Sequence, residues 1–248
     1  EMASLEETKQ YAYQTEDNFK ASVNFDERQA VFESTTGSKP VNFEENMYKC
    51  YMDMFTWYMD EDKTEFSSKD DPMAQVEGKG IRQQVDLDLN GTEFVSTHPG
   101  QDSLRFKSAN AVYLQRQKLI HAYGVPLLIV ADAAIIPGTH EILIRAKAEM
   151  DEITDAEILV NRETKNHTLY NGTLKVKGLH DYSGRALYDY IDEDGNIQNI
   201  YFSNIDVDTA GFTIAKAVIE PSASFSLSRY FNFSGAVDLV GVQKYLTF

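Results

Sequence analysis

The chain has 248 residues, 42% of them hydrophobic and 25% charged, with 14 Tyr and 14 Phe against a single Trp. This is the composition of a folded globular protein rather than a disordered or fibrous one, and the aromatic excess favours pleated sheet. A net charge of −16 excludes nucleic acid and anionic membrane surfaces as partners, because either needs a basic face, and the single Cys50 excludes an internal disulfide or a cysteine-based metal site.

No stretch approaches the roughly 18 apolar residues of a membrane span. Residues 1–20 are acidic, unlike a signal peptide, and residues 1–18 are expected to form a frayed lead-in. Residues 19–34, FKASVNFDERQAVFES, alternate apolar and polar positions on either side of the turn at 26–29, which predicts a β-hairpin. A loop is expected at 35–40.

In residues 46–59, Met47, Tyr51, Met54, Phe55 and Tyr58 fall at helical spacing, while Phe55, Trp57 and Met59 alternate as in a strand. Helix or irregular cover is therefore expected to about residue 54, then a hairpin over 55–67 turning at 60–63. The polar stretch 68–80, with Asp70-Asp71-Pro72 and two glycines, is the expected boundary between a small N-terminal β-rich unit (1–79) and a larger domain (80–248).

From residue 81 onward short strands with polar turns predict an all-β domain. They begin at 85–89 and end at 244–248, and 188–202 carries the sharpest hairpin signal, turning at Asp194-Gly195. A six-residue pattern recurs among them. Ala133 is preceded by Val130 and Asp132 and followed by Ile135; Ala156, Gly172 and Ala217 have matching surroundings, and Ala111 and Gly235 have degraded ones. Spacings of roughly 20 residues suit a stacked, elongated sheet of solenoid or roll-like character. Residues 245–248 read as a strand that simply stops, which suggests that the chain continues and that an export signal lies outside it.

The segments FKASVNFDERQAVFES, YMDMFTWYMDEDKTEFSS, FVSTHPGQDSLRFKSANAVY, TKNHTLYNGTLKVKGLHDYSGRALYDYIDEDG and YFNFSGAVDLVGVQKYLTF resemble a window from the very long, uncharacterised exported β-repeat proteins of Bacteroidota. The resemblance covers most of the chain and implies an exported envelope protein, periplasmic or on the cell surface, whose partners are adjoining repeats or other envelope proteins. It also implies that Ser103 and Thr209, in Asp-Ser/Thr-apolar triplets, are O-glycan acceptors. The pattern is similar as well to lipopolysaccharide-transport bridge proteins. That similarity implies an apolar trough lined by Val130, Ile135, Ile158, Leu174 and Val237.

Catalytic constellations are missing. The five histidines never form HxxxH or HxH, no GxSxG occurs, and Cys50 has no marked partner. Asp192, Asp194 and Asn196 resemble the first half of a calcium loop without its closing carboxylate, and so read better as a hairpin turn. The chain thus reads as a structural or binding segment without a cofactor. Two alternatives remain: a lipid or lipopolysaccharide carrier, and a carbohydrate-binding or carbohydrate-cleaving module that stacks sugars on Tyr182, Tyr188 and Tyr190.

Overall fold

A computed structural model describes residues 14–15, 19–35, 37 and 39–248. The chain opens with β1 (Gln14–Thr15) and then three hairpins. These are β2 (Phe19–Asn24) with β3 (Gln29–Ser34), β4 (Lys39–Phe43) with β5 (Tyr48–Met52), and β6 (Met54–Tyr58) with β7 (Lys63–Ser67). Two short helices follow, α1 (Pro72–Val76) and α2 (Ile81–Gln84). Next come β8 (Thr92–Ser96), β9 (Arg105–Ser108), β10 (Asn110–Leu114), β11 (Leu119–Tyr123), β12 (Leu128–Val130), β13 (Ala133–Ile136) and β14 (Glu141–Ile144). The longer strands are β15 (Ile153–Val160), β16 (His167–Gly178), β17 (Asp181–Ile191), β18 (Ile197–Val207) and β19 (Thr213–Ile219). A small hairpin, β20 (Ser226–Ser228) and β21 (Phe231–Asn232), precedes β22 (Gly235–Val240).

The fold is all-β. Thirteen strands form one sheet in the order β1-β4-β5-β8-β9-β12-β13-β15-β16-β17-β18-β19-β22, and seven form a second in the order β14-β11-β10-β7-β6-β3-β2. Neighbours in both sheets are antiparallel, and neither a closed barrel nor a solenoid is found among the described residues. Alternation explains the layering: in β5 Tyr48, Cys50 and Met52 are buried, and in β8 Thr92, Phe94 and Ser96 are, so each strand turns one face inward. The two sheets meet through aromatic rings. Phe43 of β4 packs edge-on against Phe66 of β7 at 5.3 Å and Tyr113 of β10 at 4.9 Å, and each such buried ring contributes about 1.5–3 kcal/mol.

The hairpins expected over 19–34 and 55–67 form as the alternation predicts. Three local expectations are corrected. Residues 48–52 are strand, not helical cover, after a turn at 44–47: Tyr48, Cys50 and Met52 share a buried face, and the chain bends at Asp53 between β5 and β6, which makes strand positions mimic helical spacing. Residues 85–89 are not a strand; the amides of Gln84 and Val85 bond back to the carbonyls of Gly80 and Ile81, and the helix runs out through a turn at 85–86 into irregular chain. Residues 244–248 form a single bridge, Thr247 to Asp238, rather than a strand. Most of the lead-in lies outside the described residues, and Lys39 and Pro40 of the expected loop belong to β4.

The expected boundary at residue 79 does not separate two sheets. β5 pairs with β8 and β7 pairs with β10, so residues before and after the boundary share both sheets. Asp71 accepts the Met73 amide at 2.8 Å with Pro72 in the first turn, so Asp70-Asp71-Pro72 starts α1 rather than a linker.

At Ala156 and Gly172 the recurring six-residue pattern marks bends, whereas Ala217 lies in the unbroken β19–β22 ladder. Asp155 and Asn171 have left-handed φ values of 51° and 48° beside register breaks in β15 and β16, and Ala156 lies directly opposite Gly172. These are β-bulges, which bend a strand and increase its twist. Bending brings the end of β22 back to the β12–β13 turn: a Cβ on Gly241 would stand 2.6 Å from Asp132 Oδ2 and 3.1 Å from Val160 Cγ1, so only glycine fits.

Candidate functional site: a groove at the splayed ends of β16 and β17

The bulge at Asn171 has a consequence for the sheet. β16 and β17 pair from Gly178 and Asp181 as far as Tyr170 and Leu187, and no pair forms between them beyond that point. Residues 167–169 remain bonded to β15, through His167↔Val160, Thr168↔Leu159 and Leu169↔Ile158. Residues 188–191 remain bonded to β18, through Tyr188↔Ile200 to Ile191↔Ile197. Each strand follows its outer neighbour, and a groove of about 650 Å³ opens between them. Thr168 and Tyr170 stand on one wall, Tyr188, Asp189 and Tyr190 on the other, and residues 244–246 with Phe248 along the side.

Helix α2 adds a cation. Ile81 packs against Ala134 and Leu159, and Lys165 Nζ donates to the Arg82 carbonyl at 3.0 Å, which fixes α2 beside β15 with Arg82 lining the groove. Burial lowers the His167 pKa and raises that of Tyr188, and the Arg82 charge disfavours a proton on either. Lys244 Nζ lies 5.2 Å from the centre of the Tyr245 ring, and that ring is 71% exposed.

The two carboxylates of the groove are held differently. Tyr170 Oη donates to Asp189 Oδ1 at 2.5 Å, and Asn199 Nδ2 donates to both Tyr170 Oη (2.7 Å) and Asp189 Oδ1 (2.8 Å). The bond to Asp189 pushes the Tyr170 phenol up to about 12, so it remains a donor at any physiological pH. Glu157 is half-buried without a compensating partner, and burial raises its pKa.

His167 fastens the side wall. Its Nε2 donates to the Gln243 carbonyl at 2.9 Å, and its Nδ1 faces Tyr188 Oη at 3.3 Å, which it accepts as the neutral tautomer. Burial lowers its pKa and favours that neutral form. Tyr190 Oη donates to the Leu227 carbonyl, while its ring lies 5.3 Å from Phe225 and 5.4 Å from Phe248.

Of the three tyrosines expected to stack sugars, Tyr188 and Tyr190 line the groove, half-buried and with their hydroxyls engaged. Tyr182 is corrected: it is fully buried, and its Oη bonds Thr213 Oγ1 at 2.7 Å inside the core, so no ligand reaches it. Tyr170, Tyr245, Arg82, Glu157 and Lys244 were not singled out by sequence. Only the alternation around Tyr170 marked it as outward-facing, and the other four are brought in by tertiary packing.

The remaining expected sites lie elsewhere. Asp192 Oδ1 accepts the amides of Asp194 (2.9 Å) and Asn196 (2.8 Å), Asn196 Nδ2 donates to Asp192 Oδ2, and Asp194 pairs with Arg229. These oxygens close a hairpin turn, and no group of three or more metal-ligating side chains occurs among the described residues. Ser103 and Thr209 are exposed in turns, far apart in the topology. The trough positions Val130, Ile135, Ile158, Leu174 and Val237 are all 0% exposed in one enclosed core cluster, so they line no open channel. No helix among the described residues is long and apolar enough to cross a membrane. Comparison with protein-family models, curated proteins and solved structures finds no match for this chain.

Proposed function

We propose that this chain is a non-catalytic binding segment of an exported cell-envelope protein, and that the groove between β16 and β17 holds a glycan. One observation carries the reading. The cavity combines an exposed tyrosine ring, Tyr245, with the polar groups of Tyr170 and Asp189, both bonded by Asn199 of β18, which is the pairing a sugar needs for its apolar face and its hydroxyls. Export rests on the resemblance of the quoted segments to the exported repeat proteins of Bacteroidota. In this reading the thirteen-stranded sheet is an elongated unit with roll-like character, and its outermost strands, β1 and β22, meet adjoining repeats.

The test is affinity electrophoresis and calorimetry against a panel of soluble polysaccharides, with Tyr245→Ala beside the parent chain. Loss of the ring is expected to weaken binding about five-fold, corresponding to roughly 1 kcal/mol for one aromatic platform. Equal binding by parent and variant would place the glycan elsewhere. Absence of binding across the panel would remove the glycan reading.

A further inference from the structure

The charges around the groove narrow the class of glycan, an inference that rests on the glycan reading above. Four charged side chains line the cavity: Arg82, Lys244, Glu157 and Asp189. Neither acid pairs with a cation of the groove among the described residues. Asp189 Oδ1 already accepts the Tyr170 hydroxyl and the Asn199 amide, and Glu157 is half-buried on β15, where a charged carboxylate is disfavoured. The two cations are free. Both are exposed, and neither pairs with a carboxylate among the described residues, although carboxylates outnumber basic groups 39 to 23 in the chain. Elsewhere Arg28, Lys63, Arg145 and Lys165 pair with an acid, while Arg105, Arg162 and Lys216 also lack one among the described residues, so it is their place on the wall of one cavity that distinguishes Arg82 and Lys244.

An exposed guanidinium and an exposed ammonium lining one cavity make a recognition element for a negative group. A planar guanidinium suits a carboxylate through two parallel hydrogen bonds, and the ammonium adds a point charge. Lys244 is carried next to the Tyr245 ring, so the charge lies beside the stacking platform.

We infer that the groove selects acidic saccharides, in which a uronate-type carboxylate meets Arg82 and Lys244 while the sugar ring stacks on Tyr245. Neutral glycans of the same backbone leave both cations unanswered and bind more weakly.

The test uses the full chain in calorimetric titrations with polygalacturonate, alginate and hyaluronate, against galactan, mannan and dextran as neutral counterparts and dextran sulfate as a plain polyanion. At least one carboxylated polymer is expected to bind about ten-fold more tightly than any neutral one, in line with one charge-assisted hydrogen bond. Arg82→Gln and Lys244→Gln, both on exposed side chains, are each expected to cut that preference at least three-fold, and Tyr245→Ala to weaken acidic and neutral binding together. A neutral polymer bound as tightly as every acidic one would overturn the inference and leave the glycan groove standing. Failure of every polymer to bind would overturn both. Binding of dextran sulfate equal to that of the carboxylated polymers, and indifferent to Tyr245→Ala, would reduce the cations to an unspecific attraction and overturn the selectivity.

Discussion

Replacing Thr213 by Val probes the polar clasp that ties the β12–β13 turn to β19. Thr213 Oγ1 donates to Asp132 Oδ1 at 2.5 Å, so the Tyr182 hydroxyl, 2.7 Å away, must donate to Thr213 Oγ1; the Thr213 amide also donates to Asp132 Oδ1 at 3.0 Å. Thr213 and Tyr182 are both 0% exposed, so water cannot replace these bonds. Valine keeps the shape and removes the hydroxyl. The Tyr182 hydroxyl then has no acceptor, at about 1–3 kcal/mol, and the Asp132 carboxylate loses one of two donors, at about 1.5–3 kcal/mol. Together these predict a loss of about 2.5–6 kcal/mol, or roughly 5–24 °C in thermal midpoint for a chain of this size. The assay is thermal unfolding followed by circular dichroism, with Tyr182→Phe and the double variant alongside. Because Phe removes the group that Val leaves stranded, the double variant should lose less than the sum of the singles. A loss below about 1 kcal/mol for Thr213→Val, or strict additivity in the double variant, would refute the clasp.

The same cluster sets a pH dependence. Burial raises the Asp132 pKa, so between the unfolded carboxylate value of about 3.9 and the higher folded value the native state binds more protons. Stability should therefore fall as pH rises through that window, and Asp132→Asn should flatten this part of the profile; an unchanged slope in the variant would assign it to other groups. His167 runs the opposite way: burial lowers its pKa, so stability should be lost as pH falls below about 6.5, and His167→Gln should remove that part of the slope in urea titrations at successive pH values. Gly241→Ala should cost about 1–3 kcal/mol, because the added methyl meets Asp132 Oδ2 at 2.6 Å; a neutral effect in denaturant unfolding would mean that β22 does not press on the β12–β13 turn.

Much of the sheet was legible because a strand with one buried face writes a period of two. The hairpin over 188–202 could be placed from its alternation and from Asp194-Gly195 alone. What misled was local coincidence. In residues 46–59 the bend at Asp53 shifts the alternation, and the resulting apolar spacing imitates a helix. The repeated pattern around Ala133, Ala156 and Gly172 was a true signal of bending, but it came from a hairpin turn and two bulges in neighbouring antiparallel strands, not from stacked rungs. The groove was least legible. It depends on the register break after Tyr170, on Ile81 seating α2 over β15, and on His167 fastening residue 243, each a contact across many residues. Tyr182 shows the converse: alternation gives a tyrosine its face, and only the partner strand decides whether that face is open. The alternation of Tyr182, Tyr188 and Tyr190 could not show that Thr213 encloses the first of them.

Amide hydrogen exchange of the full chain, with and without the tightest-binding polysaccharide, tests the central claim that the opening between β16 and β17 is the binding site. The free protein should show fast exchange at amides of residues 188–191 and 167–169 that lack a cross-strand partner, against slow exchange at the paired residues 173–176. Bound polysaccharide should slow exchange in residues 166–170, 188–191 and 244–248 and leave the seven-stranded sheet unchanged. Protection centred on any other surface, or none at saturating polysaccharide, would contradict the account.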